Sequence, residues 1–326
     1  MAEAARLLAA ALPYDAGCWH TMDPATMIET SFYIDDMPKP PGNQVAEFAY
    51  LTNDYNTFPK LTQGRRHSGV LTEATEGRLD RSTRYRELLR PLDIRGELRA
   101  ALVADGACWG CFAFFREDPM DFTADERDFA HDVASLLGNS FRAAGVRARM
   151  TGRVAALWPG MVLIGEDRRV ESITTPARKW LEELGFPGDV NHDPLPYALI
   201  TVAERVRGNV GEASARVPGA SGDWIQVLGS PALGGDPGRV AIILQAANIP
   251  SIAPLISAAY GLTARERELT DLVLEGCGTA EIARRLFISP HTVQGHLKAI
   301  FAKTGVRSRR DLVSRVFAPH GRPPLD

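Results

Sequence analysis

The run "ARRLFISPHTVQGHL", Ala283 to Leu297, sets a Ser-Pro step between two short apolar-periodic stretches. Ser289 supplies the side-chain oxygen that an N-cap needs, and Pro290 takes the first helical position, where its missing N–H costs nothing. A helix therefore begins abruptly at residue 290. Along it Val293, Leu297, Ile300, Phe301 and Thr304 follow an i, i+4, i+7, i+8, i+11 spacing and form the core stripe. His291, Gln294, Gly295, Lys298 and Ala302 then fall on the opposite, exposed ridge. Long hydrogen-bonding side chains alternate there with residues of minimal bulk, which suits a helix pressed into a major groove. An ordinary surface face would not choose Gly295, because glycine in mid-helix costs ~1 kcal/mol against alanine. Thr292, His296 and Lys303 run along one flank, within reach of phosphates beside such a groove.

On the N-terminal side, "LTARERELTDLVLEG" carries Thr263 and Glu266 in capping-box spacing, with Leu262, Leu269, Leu272 and Val273 on one face and Gly276 as a stop. Thr279 is expected to cap a shorter helix with Ile282, Ala283 and Leu286 inward and Arg284 and Arg285 outward. On the C-terminal side, Ser308 and Asp311 open a last helix that buries Leu312, Val313, Val316 and Phe317 and stops before Pro319. Four short helices, with one tight turn between the second and third, fit a helix-turn-helix domain. Charge agrees. Between Gly276 and Val316 eight Lys/Arg face only Glu281 and Asp311, a balance of +6 in a chain whose net charge is -3. Basicity is thus concentrated where a duplex would sit.

The stretch "LTARERELTDLVLEGCGTAEIARRLFISPHTVQGHLKAIFAKTGVRSR" resembles the LuxR-type (GerE-like) helix-turn-helix family of bacterial transcription regulators. Its motifs are Leu-Thr-x-Arg-Glu, Glu-Ile-Ala, Ile-Ser-x-x-Thr-Val and Lys-x-Gly-Val. The resemblance implies double-stranded DNA as partner. It implies Gln294 and Lys298 toward the bases, with Thr292, His296 and Lys303 holding the backbone; the exposed ridge adds His291 and Gly295 to the expected base-facing set, and Arg309 is expected among the phosphate contacts. The family usually has Lys where Gln294 stands, Asn at Ala299 and Leu at Thr304. Gln addresses adenine by two hydrogen bonds whereas Lys favours guanine, so Gln294 implies a shifted site preference.

The remaining chain is long enough for further domains: 326 residues, 45% of them hydrophobic, exceed one unit of ~150. Residues 1–150 read as an α+β unit. "ELRAALVADGACWGCFAFFRE" forms two β-rich runs around Asp-Gly, and Thr123 with Glu126 caps a helix whose inner face is expected to be Phe129, Val133, Leu136 and Leu137. Residues 154–247 repeat the theme, with a hairpin at "GMVLIGEDRRVESIT", a helix ending at Gly185 and two closing strands. Residues 248–261 read as a linker and 262–319 as the DNA-binding domain. The first segment, through "CWHTMDPATM" and its hairpin-plus-helix ending, resembles a GAF domain; the second, through "VLIGEDRRVES" and "TTPARKWLEEL", resembles a PAS domain. The expected fold is therefore two α+β sensor-like domains followed by an all-α four-helix unit.

Other patterns narrow the function. Cys108 and Cys111 in "CWGC" lie on a strand, where residues three apart face opposite ways, so one buried cysteine is expected rather than a redox or zinc pair. Asp23-Pro24-Ala25-Thr26 reads as a turn, with a role at a pocket lip left open, and His20, His67, His131 and His192 read as surface or satisfied core residues without ligand spacing. Glu166-Asp167 belongs to a hairpin tip, and no phosphate-binding loop of Gly-x4-Gly-Lys-Ser/Thr form is present. No enzymatic role, metal or cofactor is expected, although a small-molecule ligand in the N-terminal domains is open. Four cysteines are too few for a disulfide scaffold, and no apolar stretch nears ~18 residues. A cytoplasmic homodimeric transcription regulator is the expectation, with RNA polymerase a possible contact. The alternative is a protein-binding adaptor that uses the basic helical domain to contact polymerase or another partner.

Overall fold

The computed structural model describes residues 1–36, 53–117, 119–147, 157–186, 188–190, 192–233, 238–248, 252, 255 and 260–317. The first sheet comprises β1 (Ala16–Asp23), β2 (Ile28–Asp35), β3 (Ser68–Val70), β4 (Ile94–Ala104) and β5 (Ala107–Glu117). Its strands are antiparallel in the order β2-β1-β5-β4-β3. Asp105 and Gly106 both take positive φ, which is what the two-residue turn between β4 and β5 demands. Around the sheet lie α1 (Ala2–Ala11), α2 (Phe58–Gln63), α3 (Leu71–Ala74) and α4 (Ala124–Arg147). Trp19, Leu98, Phe112 and Phe114 face α1 and α4; Cys18, Ala113 and Phe115 face Leu71, Leu79, Leu88 and Leu89 on the other side.

The α4 capping box forms as read, with Thr123 and Glu126 bonding each other's backbone N–H. Its inner face differs from the sequence expectation. Ala130 and Ala134 are buried, and a Cβ on Gly138 would stand 2.7 Å from the Val103 carbonyl oxygen. Small residues let the helix approach the sheet, so the large ones are displaced outward: Phe129 is 39% and Leu136 71% exposed. Val133 and Leu137 remain partly buried.

The two cysteines of "CWGC" also depart from expectation. Leu102 pairs with Gly110 but Val103 with Cys108, leaving Trp109 as an extra bulged residue. The bulge restores parity, so both Cys108 and Cys111 are buried in one cluster with Met22, Phe58, Leu61 and Ala101. Burial pushes the Cys108 thiol up to about 11, so these are inert core thiols.

The second sheet comprises β6 (Gly160–Ile164), β7 (Val170–Ile173), β8 (Ala213–Pro218), β9 (Trp224–Pro231) and β10 (Val240–Ala246). Its order β7-β6-β10-β9-β8 repeats that of the first sheet. Helices α5 (Thr175–Glu183) and α6 (Tyr197–Arg205) cover one face through Trp180, Leu181, Leu199 and Val202. Sequence reading missed α6 and β8.

These two missed elements join the domains. The Asp23 carboxylate, 1% exposed, accepts from the backbone N–H of Arg216 on β8 and pairs with its guanidinium at 2.8 Å. The Tyr197 hydroxyl donates to Glu29 at 2.6 Å, and Thr201 donates to the Glu29 carbonyl at 2.7 Å. Asp23, read from sequence as a turn residue with a pocket-lip role left open, is half of a buried inter-domain ion pair and also lines the cleft between the sheets. Nor is His20 a satisfied core histidine: it is 4% exposed, and its Nδ1 has no hydrogen bond although Glu29 lies 3.3 Å away.

Candidate nucleic-acid interface

The C-terminal unit has four helices: α7 (Ala264–Leu274), α8 (Thr279–Arg285), α9 (Pro290–Thr304) and α10 (Arg309–Phe317). Thr263 and Glu266 make both halves of the capping box that opens α7. Ser289 accepts the Thr292 N–H at 3.0 Å, and Ser308 accepts that of Asp311 at 3.0 Å. Gly276 and Gly305 end α7 and α9 in the left-handed region that a residue with Cβ avoids. Leu269, Val273, Ile282, Val293, Leu297, Ile300 and Leu312 close one core. The Val316 and Phe317 side chains lie outside the described residues, as does most of the stretch read as a linker.

One cap differs from the sequence reading. Gly278, not Thr279, is the N-cap of α8, which leaves Thr279 in the first turn. Its hydroxyl accepts from Arg309 at 2.9 Å and from Gln294 Nε2 at 3.4 Å. Thr279 therefore links the starts of α8 and α10 to the outer ridge of α9.

On α9 the core stripe Val293, Leu297, Ile300 and Thr304 is buried, while His291, Gln294, Gly295, Lys298 and Ala302 are exposed. A Cβ on Gly295 would meet nothing within 4 Å, so packing within the protein gives no reason for glycine there. Thr292 is exposed on the flank, its hydroxyl 2.8 Å from that of Ser289; His296 is half-buried.

Two residues read from sequence as phosphate contacts are engaged internally. The Lys303 ammonium donates to Glu266 at 2.7 Å and to the Gly261 carbonyl at 3.1 Å, tying α9 to α7. Burial opposes ionisation of Glu266, but the Lys303 and Thr263 hydrogen bonds outweigh it and hold this carboxyl below its ordinary range. Arg309 donates to the Cys277 carbonyl at 3.1 Å as well as to Thr279. Arg285 is paired with Glu275 and Glu281. By contrast Arg284, Lys298, Arg307 and Arg310 are exposed and make no ion pair among the described residues. Sequence reading counted these arginines only as charge; helix periodicity alone could not separate free from engaged cations.

Residues 261–316 match the family model described as bacterial regulatory proteins, luxR family. The helical unit is a luxR-family domain. It is 53% identical over 58 residues to a monoamine regulon transcriptional regulator of Klebsiella aerogenes, covering 18% of this chain and 26% of that one. It is 42% identical over 52 residues to the oxygen regulatory protein NreC of Staphylococcus aureus, covering 16% and 24%. The chain thus spans about a quarter of the length of these curated relatives. Among solved structures, VqmA of Vibrio cholerae in a complex with ligand and DNA is 20% identical, covering 49% of this chain and 81% of that one at a TM-score of 0.26. Among the described residues no helix is long and apolar enough to cross a membrane.

Proposed function

We propose that this chain is a sequence-specific DNA-binding transcription regulator. Its luxR-family domain would insert α9 into the major groove, with His291, Gln294, Gly295 and Lys298 toward base edges. The observation that carries this reading is Gly295: a mid-helix glycine facing open space, on an exposed ridge with His291, Gln294 and Lys298 and near the unpaired cations Arg284, Arg307 and Arg310. Thr292 and His296 keep their proposed phosphate role. Lys303 and Arg309 act first as braces that fix α9, with phosphate contact secondary. Selection of duplexes from a random pool by the full chain, followed by gel shift at several salt concentrations, tests the reading. Enrichment of a defined site, with affinity falling steeply as salt rises, is expected. Uniform recovery of all sequences would defeat it.

The two sheet domains are read as GAF-like and PAS-like sensory modules that modulate and dimerise the DNA-binding unit. Two same-order sheets joined by a buried seam support this, as does an apolar cleft between them of about 920 Å³, lined by Phe32, Trp109, Phe141, Tyr197 and Trp224. Phe129 and Leu136, seven residues apart on α4 and turned to solvent, support self-association. In a two-fold dimer the paired α9 helices would reach successive major grooves over an inverted repeat. The proposed site of action is the cytoplasm. A second reading, contact with polymerase or another protein, is favoured by Phe287, 95% exposed at the turn between α8 and α9. Phe287→Ala would then reduce transcription while leaving the gel shift intact.

A further inference from the structure

Arg99 lies in mid-β4 on the sheet face opposite α1 and α4, since Leu98 and Ala100 on either side of it belong to the core beneath those helices. It is 8% exposed, its Nε has no partner, and its guanidinium makes no hydrogen bond or ion pair among the described residues. A permanent charge is thereby largely buried, with its Nε–H held out of water without an acceptor, an arrangement that folded proteins rarely tolerate.

The surroundings account for the lack of a partner. Across the sheet Arg99 is in register with Ala113, which pairs with Cys18 on one side, and with Gly69 on the other. None of these side chains carries an oxygen. Nearby acids are committed elsewhere: Glu97 takes two bonds from Arg84 at 2.8 and 2.7 Å, Asp54 takes those of Ser82 and the Arg84 N–H, and Glu29 takes that of Tyr197. Asn56 adds to the imbalance. Its Nδ2 is buried without an acceptor and lies 2.9 Å from where a Cβ on Gly69 would stand, beside Arg99. Two sets of unmatched donors therefore sit side by side. The Phe58 ring covers one face of the guanidinium, 3.9 Å from its Cζ, which leaves the N–H donors to be met in the guanidinium plane. A planar acceptor with two oxygens fits such an edge.

We propose that Arg99, with Asn56 beside it, anchors a small-molecule site on this sheet face, and that the ligand class is a small carboxylate. Its two oxygens take the in-plane N–H groups of Arg99. The proposal deepens the sensory reading of the first domain and rests on it. The His20 position, two residues along β1 from Cys18 in this row, leads to Glu29 and so to Tyr197 of the second domain, which gives an occupied site a path to the seam.

The test uses the full chain with acetate, benzoate and inorganic phosphate as probes and benzamide as the neutral control, read by thermal midpoint and by saturation-transfer NMR. Wild type is expected to respond to acetate or benzoate at millimolar concentration and not to benzamide. Arg99→Met, which keeps chain length but removes the charge, should lose the response while melting at or above the wild-type midpoint. Arg99→Lys should respond at least about tenfold more weakly, because the fork is gone. Three results would overturn the site: no carboxylate response in wild type, a response to phosphate alone, or a lower midpoint in Arg99→Met with carboxylate binding retained. Gel shifts on the same preparations separate the two readings. Intact DNA binding without a carboxylate response defeats only the site, whereas a carboxylate response without DNA binding defeats only the regulator.

Discussion

Replacing Gly295 by alanine separates two explanations of the same residue. Alanine is favoured over glycine in a helix interior by ~1 kcal/mol. The added methyl meets nothing within 4 Å, so no clash offsets that gain. In the free protein Gly295→Ala should therefore stabilise the C-terminal domain by ~1 kcal/mol, a rise of roughly 4–8 °C in its melting transition for a domain of this size. Docking reverses the sign. A methyl on the ridge between Gln294 and Lys298 holds α9 off the groove floor, and losing one well-formed base contact costs ~1–3 kcal/mol. Affinity for the selected duplex should fall about tenfold or more, while affinity for unrelated duplex, held by phosphate contacts, changes little. Calorimetry of the full chain reads the first effect, and fluorescence anisotropy at fixed salt on both duplexes reads the second. A stabilised variant that binds its selected site as well as wild type would refute the docking role. A destabilised one would show that Gly295 packs against something in the free protein.

Five other substitutions follow from the geometry. Gln294→Ala should change which bases are enriched in selection, whereas Arg310→Ala should weaken all duplexes alike and reduce the slope of log affinity against log salt by about 1. Lys303→Met removes the partner of Glu266, whose folded-state carboxyl is held below its ordinary range; the stability this contributes is present above the ordinary carboxyl range and lost as pH falls through the lower folded value. The variant should therefore melt earlier at neutral pH and show a shallower acid limb, as read from midpoints between about pH 3 and 6. Leu136→Glu, at a side chain 71% exposed, should leave the fold intact and convert a dimer to a monomer in sedimentation; a wild-type monomer would defeat the dimer reading. Tyr197→Phe removes the 2.6 Å donor to buried Glu29 and should cost ~1–3 kcal/mol, seen as earlier separation of the two sheet domains in hydrogen exchange.

What the sequence made legible was decided by local chemistry. Three of the four C-terminal helices are marked by residues close in the chain: Thr263 with Glu266, Ser289 before Pro290 together with the Val293–Leu297–Ile300–Thr304 stripe, and Ser308 with Asp311. Each mark acts within its own turn, so no distant partner is needed to read it. The hairpin at Asp105-Gly106 was legible for the same reason. Elsewhere the outcome depended on what lay across from a residue. Leu136 has the right period for a core face, yet Gly138 lets the backbone of α4 meet Val103 and turns that face outward. Cys108 and Cys111 have the spacing of opposite faces until one bulged residue changes the count.

The same distinction governs the DNA-facing surface. Spacing put Lys303 on the flank of α9 correctly, but its ammonium is directed by Glu266, thirty-seven residues earlier in the chain. Arg309 is likewise drawn inward by Thr279 and the Cys277 carbonyl, while Arg310 next to it has no ion pair. A cation held by a buried carboxylate contributes less to counterion release than a free one, because it is partly neutralised before DNA arrives. Salt dependence should therefore follow Arg284, Lys298, Arg307 and Arg310 rather than the eight Lys/Arg counted between Gly276 and Val316. A measured slope near four times the per-phosphate value of about 0.9 would support that division, and one near six times would mean that Lys303 and Arg309 leave their internal partners on binding.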